Sequence, residues 1–486
     1  MRTLVIDVGT SGLRAAVVYD DASITGLHHE EFAASTPAPG LVEFDAEAMW
    51  QAVERVALLA MGGSNVDAVG ITNQRASTIG WRRSTGRPIG PAIGWQDLRT
   101  VGDCIMARAN HGFTLAPNQS ATKIAWMLAN HLSDDAARAD DDVLFGTVDS
   151  WLAWKLSGGT AHVIDHTNAA VTGLTVASGT SWNQPVLGAL GIHLHQLPRI
   201  VPTSGDIAVA SALPGSPPIA ALVGDQQASL VGQGCITTGA TKITFGTGGM
   251  LDMFVGPDAP ASARRNAGGT FPIVAFSGPD GHFYGVEGIM LSAGTNVEWL
   301  RDDMGIIASP AESDAIAASV GSTDGVVYVP ALLGLGTPHW DYGARGALFG
   351  ITRGSTRAHI VRAVLEGIAH RGVDLVDAAE SDTGITIETI NVDGGMSRNE
   401  TFVQALADAA GRPVTVSPVT EATTLGAGLL AGTAVGQWRS LADACSRIGG
   451  FRSVSPLGAP GVSRQQWGEA VSRAKAWIPD LSALDF

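Results

Sequence analysis

Four short stretches hold residue types that could do chemistry together. Gly224-Asp225-Gln226-Gln227 ends the apolar run Ile219 to Val223, so a carboxylate is delivered at the end of a strand. An ionised Asp only accepts hydrogen bonds, and from a cleft it can take the proton of a substrate hydroxyl. Alone, a Gly-Asp pair is as readily a plain turn, so its reading depends on its company. Asp7-Val8-Gly9-Thr10-Ser11-Gly12 with Arg14 supplies glycines, hydroxyls, a carboxylate and a cation. Glycines let backbone N–H groups approach phosphate oxygens, hydroxyls add donors, and Asp7 could hold Mg²⁺ or its water shell. A second turn of this kind, Gly246-Thr247-Gly248-Gly249, follows about one domain length later.

Neither a Walker P-loop nor a dinucleotide-binding glycine fingerprint is present, so a nucleotide site must be of another kind. Val392-Asp393-Gly394-Gly395-Met396-Ser397-Arg398-Asn399 offers one, a strand ending in two glycines where a flat base could lie on bare backbone. Read alone, it is also a common helix-capping turn.

Elements must bring these stretches together. Leu4 to Asp7 and Leu13 to Tyr19 read as strands around the first turn, and Thr241 to Phe254 repeats the hairpin, which points to two related halves. Helical patterning is expected at Ala46 to Met61, Thr122 to Leu132, Gly288 to Met304, His359 to Ala379 and Asn399 to Ala410. Strands are expected at Asp67 to Thr72, Gly325 to Val329 and Thr389 to Val392. The chain is therefore α/β. At 486 residues it exceeds what one core usually supports, so two domains with a cleft between them are expected. The boundary falls near 235 to 240, giving 1–236 and 237–486, with a second breakpoint at Pro257 to Arg265.

A net charge of −16 argues against nucleic acid or an anionic membrane as partner. Asp7 interrupts the first apolar stretch before it could form a secretory signal core, and no apolar run reaches membrane-spanning length. With Cys104, Cys235 and Cys445 scattered and odd in number, the expectation is a cytoplasmic protein with reduced thiols. Trp126, Trp151 and Trp154 sit at helical spacing among apolar residues and read as core. His166 and His339 read as structural, and Arg264-Arg265 as a solvated loop.

In order and spacing the four stretches resemble the FGGY carbohydrate kinases over nearly the whole chain, and within them the glycerol kinases. The latter likeness is carried by Gly70-Ile71-Thr72-Asn73-Gln74-Arg75, Phe145 to Trp151 and Leu333 to Asp341. The resemblance implies two ribonuclease H-like domains of the actin/hexokinase ATPase type, closing on MgATP and a small polyol or sugar. It implies Asp225 as the general base, Thr10, Ser11, Arg14, Gly246 and Thr247 at the phosphates, and Asp7 near the metal. Gly294, Glu298, Gly395 and Asn399 would line the adenosine pocket, Glu298 standing where glycerol kinases tend to have Gln. A homo-oligomer is compatible with it.

Arg75, Trp95, Asp225 and Gln226 match the substrate-binding residues that the resemblance implies. Three neighbours do not: Ala76 replaces a Glu, Asn118 a Tyr and Met250 a Phe. The pocket should be larger and less charged, and losing an acceptor for a substrate hydroxyl costs about 1–3 kcal/mol. Glycerol, erythritol or threitol, a tetrulose, xylulose or ribulose all remain open as substrates. An actin- or chaperone-like ATPase and a polyol sensor without turnover are the competing classes; no appended peptide-binding domain is legible, and the phosphate hairpins are intact.

Overall fold

The computed structural model describes residues 1–132, 140–458 and 461–484. Two mixed sheets organise it. The first runs Ser204–Val209, Pro218–Gly224, Ala68–Asn73, Arg2–Val8, Gly12–Tyr19, Ile24–Glu31; the second runs Phe271–Gly278, Gly281–Met290, Gly249–Gly256, Thr241–Phe245, Ile390–Asp393, Val414–Val416, Arg452–Val454. Each contains the same unit: three antiparallel strands, then two added in parallel on the far side of the first. The expected likeness of the two halves is thus a likeness of strand order and direction.

Strands Arg2–Val8 and Pro218–Gly224 are buried along nearly their whole length because helices cover both faces of the sheet. On one side lies Ala46–Met61, which begins where the Asp45 carboxylate accepts from the N–H groups of Glu47 and Ala48 and ends at Gly62. Helix Arg357–Thr383 plays the corresponding part for the second sheet, buried along most of its length.

Helix Ala422–Ala434 has no counterpart in the sequence expectations. Its sequence, Ala-Thr-Thr-Leu-Gly-Ala-Gly-Leu-Leu-Ala-Gly-Thr-Ala, is apolar and small all round, so it shows no amphipathic period. It follows a strand of the second sheet yet packs against the first sheet and against Asp225–Gly232, the helix leading out of strand Pro218–Gly224. The two helices meet backbone to backbone. A Cβ added at Gly426 would lie 1.8 Å from the carbonyl oxygen of Ala228, and one at Gly232 would lie 1.9 Å from that of Ala422.

Two expectations change. Gly288 to Met290 belongs to strand Gly281–Met290, with Gly288 paired to Leu251, and the helix begins only at Thr295, because pairing across the sheet outweighs the apolar periodicity of the segment. Pro257 to Arg265 is a loop joining two strands of one sheet, Gly249–Gly256 and Phe271–Gly278, which flank strand Gly281–Met290, so no breakpoint between units falls there. Arg264 is exposed as expected, whereas the Arg265 guanidinium lies over the Trp340 ring at 5.2 Å from its centre. Trp151 and Trp154 are core; Trp126 is half-buried beneath the Arg99 guanidinium. His166 is buried and hydrogen-bonded to Ser277 at 2.9 Å.

The glycine crossing sets a stability expectation. Gly426→Ala should lower stability by about 1–3 kcal/mol, read as a lower urea or thermal midpoint, because neither backbone can retreat without separating the helices. Gly468→Ala, in helix Arg464–Ala474 with nothing within 4 Å of the added carbon, should leave the midpoint unchanged or raise it. Equal effects at the two positions would refute the crossing as a tight contact.

Candidate active site

Asp7 and Arg14 face each other across the first hairpin, with Arg14 Nε 3.6 Å from Asp7 Oδ2. Both are gripped from the start of helix Ala422–Ala434: Glu421 pairs with Arg14, and the Thr424 hydroxyl donates to Asp7 at 3.3 Å. Burial pushes the Asp7 carboxyl up to about 7; Arg14 opposes the shift, and the nearby charges of Asp225 and Glu421 add to it. At the turn itself Trp95 Nε1 donates to the Thr10 hydroxyl at 3.1 Å and Gln74 Nε2 to the Gly9 carbonyl at 3.2 Å, while Ser11 is exposed. A small cavity opens beside Thr10, Gln74 and Trp95.

Asp225 is the first residue of its helix, immediately after the strand that ends at Gly224. Gly224 leaves room for Arg75, since a Cβ there would lie 2.7 Å from Arg75 Cδ and would push that side chain aside. Its N–H donates to Thr167 Oγ1 at 2.8 Å, which pins the end of the strand. Arg75 Nε stands 3.6 Å from Asp225 Oδ1, and Arg75 Nη2 donates to Glu287 Oε2 at 2.6 Å. Burial raises the pKa of Asp225, with Arg75 and the Gln226 N–H partly offsetting it. Arg75 Nη1 is buried with no partner, a donor aimed at nothing in the protein itself.

Glu287 belongs to a set the sequence reading missed. Lys242, Asp252 and Glu287 are directly opposite one another on three adjacent strands of the second sheet. Lys242 and Asp252 have no exposed side-chain surface, and their charged atoms lie 2.6 Å apart. Lys242 Nζ also donates to Gln226 Oε1 at 2.7 Å and to Thr244 Oγ1 at 3.0 Å. Asp252 interrupts the apolar run Met250-Leu251-Asp252-Met253-Phe254, and that interruption was the available signal. Asp225, Gln226 and Arg75 from the first half thus meet Lys242, Asp252 and Glu287 from the second.

Beside this ladder the second turn and the double-glycine turn share backbone. The Gly246 carbonyl accepts from the Gly294 N–H at 2.8 Å. Gly394 has φ +86°, and a Cβ there would lie 2.4 Å from the Phe245 carbonyl oxygen. Gly395 and Thr247 are exposed on the wall so formed. Asn399 caps helix Glu400–Ala410 by accepting from the Phe402 N–H and donates to Ser313 at 3.0 Å; Glu298 is exposed on helix Thr295–Asp302. Asp393, at the end of its strand, accepts from Ser229 of the Asp225 helix at 3.2 Å.

Ala76 is buried next to Arg75, and its left-handed backbone, φ +61°, turns its carbonyl to the Ser120 hydroxyl. Met250 shares the sheet face of Asp252, two residues away. Asn118 is exposed on the loop before helix Ser120–His131, and its carbonyl is 3.5 Å from the buried Lys123 ammonium. Among the described residues no hydrogen bond or ion pair joins Asn118 or Glu298 to Asp225, Arg75, Gln226, Lys242, Asp252 or Glu287.

A concavity of about 1130 Å³ between Tyr19, Gln437, Trp438 and Arg447, far roomier than the one beside Thr10, contains none of these residues and is open to solvent. The site is therefore located by convergent chemistry and not by size. Among the described residues no helix is long and apolar enough to cross a membrane, and no cluster of three or more His, Cys, Asp or Glu side chains could hold a metal by protein ligands alone.

The N-terminal domain model of the FGGY family of carbohydrate kinases matches residues 2–232, and its C-terminal domain model matches 242–435. The chain is 43% identical to a glycerol kinase of Bordetella parapertussis, over 98% of this chain and 97% of that one. It is 41% identical to a glycerol kinase of Trichlorobacter lovleyi over 98% and 99%. The crystal structure of Plasmodium falciparum glycerol kinase with ADP matches at a TM-score of 0.90 and 27% identity, covering 97% of this chain and 98% of that. A xylulose kinase from Rhodospirillum rubrum, at 0.81 and 21% over 99% of both, shares the fold. Two sheets of one pattern, a carboxylate at a strand end between two glycine hairpins, and relatives matched over full length together make this chain a member of the FGGY family of carbohydrate kinases.

Proposed function

We propose that this protein is an ATP-dependent kinase that transfers the γ-phosphoryl group of ATP to a terminal hydroxyl of a small polyol, in the manner of a glycerol kinase that converts glycerol to glycerol 3-phosphate. The observation that carries this is Asp225, paired with Arg75 and set between the Asp7–Arg14 hairpin and the Gly246 turn. Two FGGY-type units are assigned, 1–236 bearing the polyol pocket, first hairpin and Asp225, and 237–486 bearing the second hairpin and adenosine wall.

Asp225 accepts the proton of the attacking hydroxyl and orients its oxygen; Arg75, Trp95 and Gln226 hold the polyol, with Ala76, Asn118 and Met250 as the altered neighbours. Phosphoryl transfer needs in-line placement and charge neutralisation more than covalent help. Thr10, Ser11, Arg14, Gly246 and Thr247 supply donors and a cation to the phosphates, and Gly294, Glu298, Gly395 and Asn399 line the adenosine side. Asp7 suits Mg²⁺: it is a buried carboxylate with excess negative charge around it, and that ion needs only one or two protein carboxylates beside phosphate and water. When bound there it would neutralise phosphate charge.

A longer polyol or a ketose is the second reading. Ala76 contributes no acceptor side chain where the family's glycerol kinases have one, while Arg75 Nη1 is a spare buried donor. That balance admits a carbonyl as readily as a hydroxyl.

Asp225→Asn should abolish polyol-dependent ADP release while ATP binding persists; a fully active variant would remove Asp225 from its role. Activity needs the ionised carboxylate, and its pKa is raised, so kcat/KM should be full at higher pH and fall as pH drops, with a midpoint above the usual aspartate range; a pH profile flat to pH 4 would contradict this. Ala76→Glu should lower the glycerol KM by about 5- to 150-fold, the equivalent of about 1–3 kcal/mol, and an unchanged KM would favour the second reading.

A further inference from the structure

We infer that Lys242, anchored by Asp252, is a positioning residue that turns the Gln226 side chain so that its amide NH₂, and not its carbonyl oxygen, faces the substrate. The argument is one of donor and acceptor inventory. An ammonium has only hydrogens to offer, so the amide atom 2.7 Å from Lys242 Nζ must be the oxygen Oε1. With Oε1 so occupied, the free end of Gln226 is a donor. Lys242 cannot easily swing away: Thr244 Oγ1 lies 3.0 Å and Asp252 Oδ2 2.6 Å from the same nitrogen, and the side chain has no exposed surface.

Register explains how the ion reaches this place. Lys242 and Asp252 are directly opposed on adjacent antiparallel strands, so they meet without any loop having to adjust. Gln226 lies one residue beyond Asp225 on the helix from the first sheet, so the contact spans the two halves. Thr244, whose hydroxyl accepts from Lys242, lies opposite Asp393 on the adjacent parallel strand that ends at the double-glycine turn, so the lysine stands between the polyol and nucleotide sides. On the substrate side Gln226 and Arg75 then both present donors, and Asp225 is the acceptor. The part of the polyol facing Gln226 must therefore offer a lone pair, from a hydroxyl or a carbonyl oxygen.

This inference rests on Gln226 being a substrate ligand, and a mutant cycle with glycerol and ATP separates the two claims. Lys242→Met with Asp252→Leu removes both charges together, which avoids an orphaned buried ion; Lys242→Leu with Asp252→Val is the alternative pair if the first does not fold. The expected result is a glycerol KM about tenfold higher, a kcat within a few-fold of the parent and an unfolding midpoint kept within a few degrees. Gln226→Leu alone should raise KM by a similar factor, and combining it with the paired change should add no more, because both remove the same bond. An unaltered KM in Gln226→Leu would overturn the substrate-ligand reading itself. A raised KM there with either an unaltered KM in the paired variant or fully additive effects would overturn the role of Lys242.

Discussion

The constraint on which the rest depends is the contact between helices Asp225–Gly232 and Ala422–Ala434. Gly232 and Gly426 bring the two backbones closer than any side chain would allow. Each helix leaves a parallel strand of its own sheet, and each carries an acid at its start, Asp225 on one and Glu421 on the other. Asp225 meets Arg75, and Glu421 meets Arg14 of the first hairpin. Holding the helices together therefore places the carboxylate at the end of one strand against the hairpin at the start of the chain.

Burial then gives these charges their character. Asp7 and Asp225 sit in surroundings that disfavour their ionised forms, with Arg14 and Arg75 as the offsetting cations. Asp7, Arg75 and Glu287 have little solvent to screen their charges, while Asp225 and Arg14 remain partly open to an incoming hydroxyl or phosphate. The ladder of Lys242, Asp252 and Glu287 extends the same logic across the second sheet. Its ions are neutralised by one another and by Arg75, and the arrangement crosses from one half to the other.

Much of this was legible in the sequence. Both hairpins, helix Ala46–Met61, strand Ile390–Asp393 and the Asp225 strand end were readable because strand alternation, capping residues and glycine turns are local signals. Helix Ala422–Ala434 was not, because small residues on all sides encode close packing with a distant partner and carry no period. Gly288 to Met290 was read as helix because a strand's partner, Leu251, is not visible in the strand's own sequence.

By itself the sequence determined the α/β class, the doubled hairpin and the presence of a carboxylate, a phosphate-type turn and a glycine pair in a family order. Only the tertiary structure decided which charges share a site. Arg75 and Glu287 are 212 residues apart in sequence and hydrogen-bonded in space, and Lys242 touches Gln226 because two sheets and two glycines align them. Residue type and spacing encode local geometry, whereas the pairing of distant charges is fixed by burial that no local stretch contains.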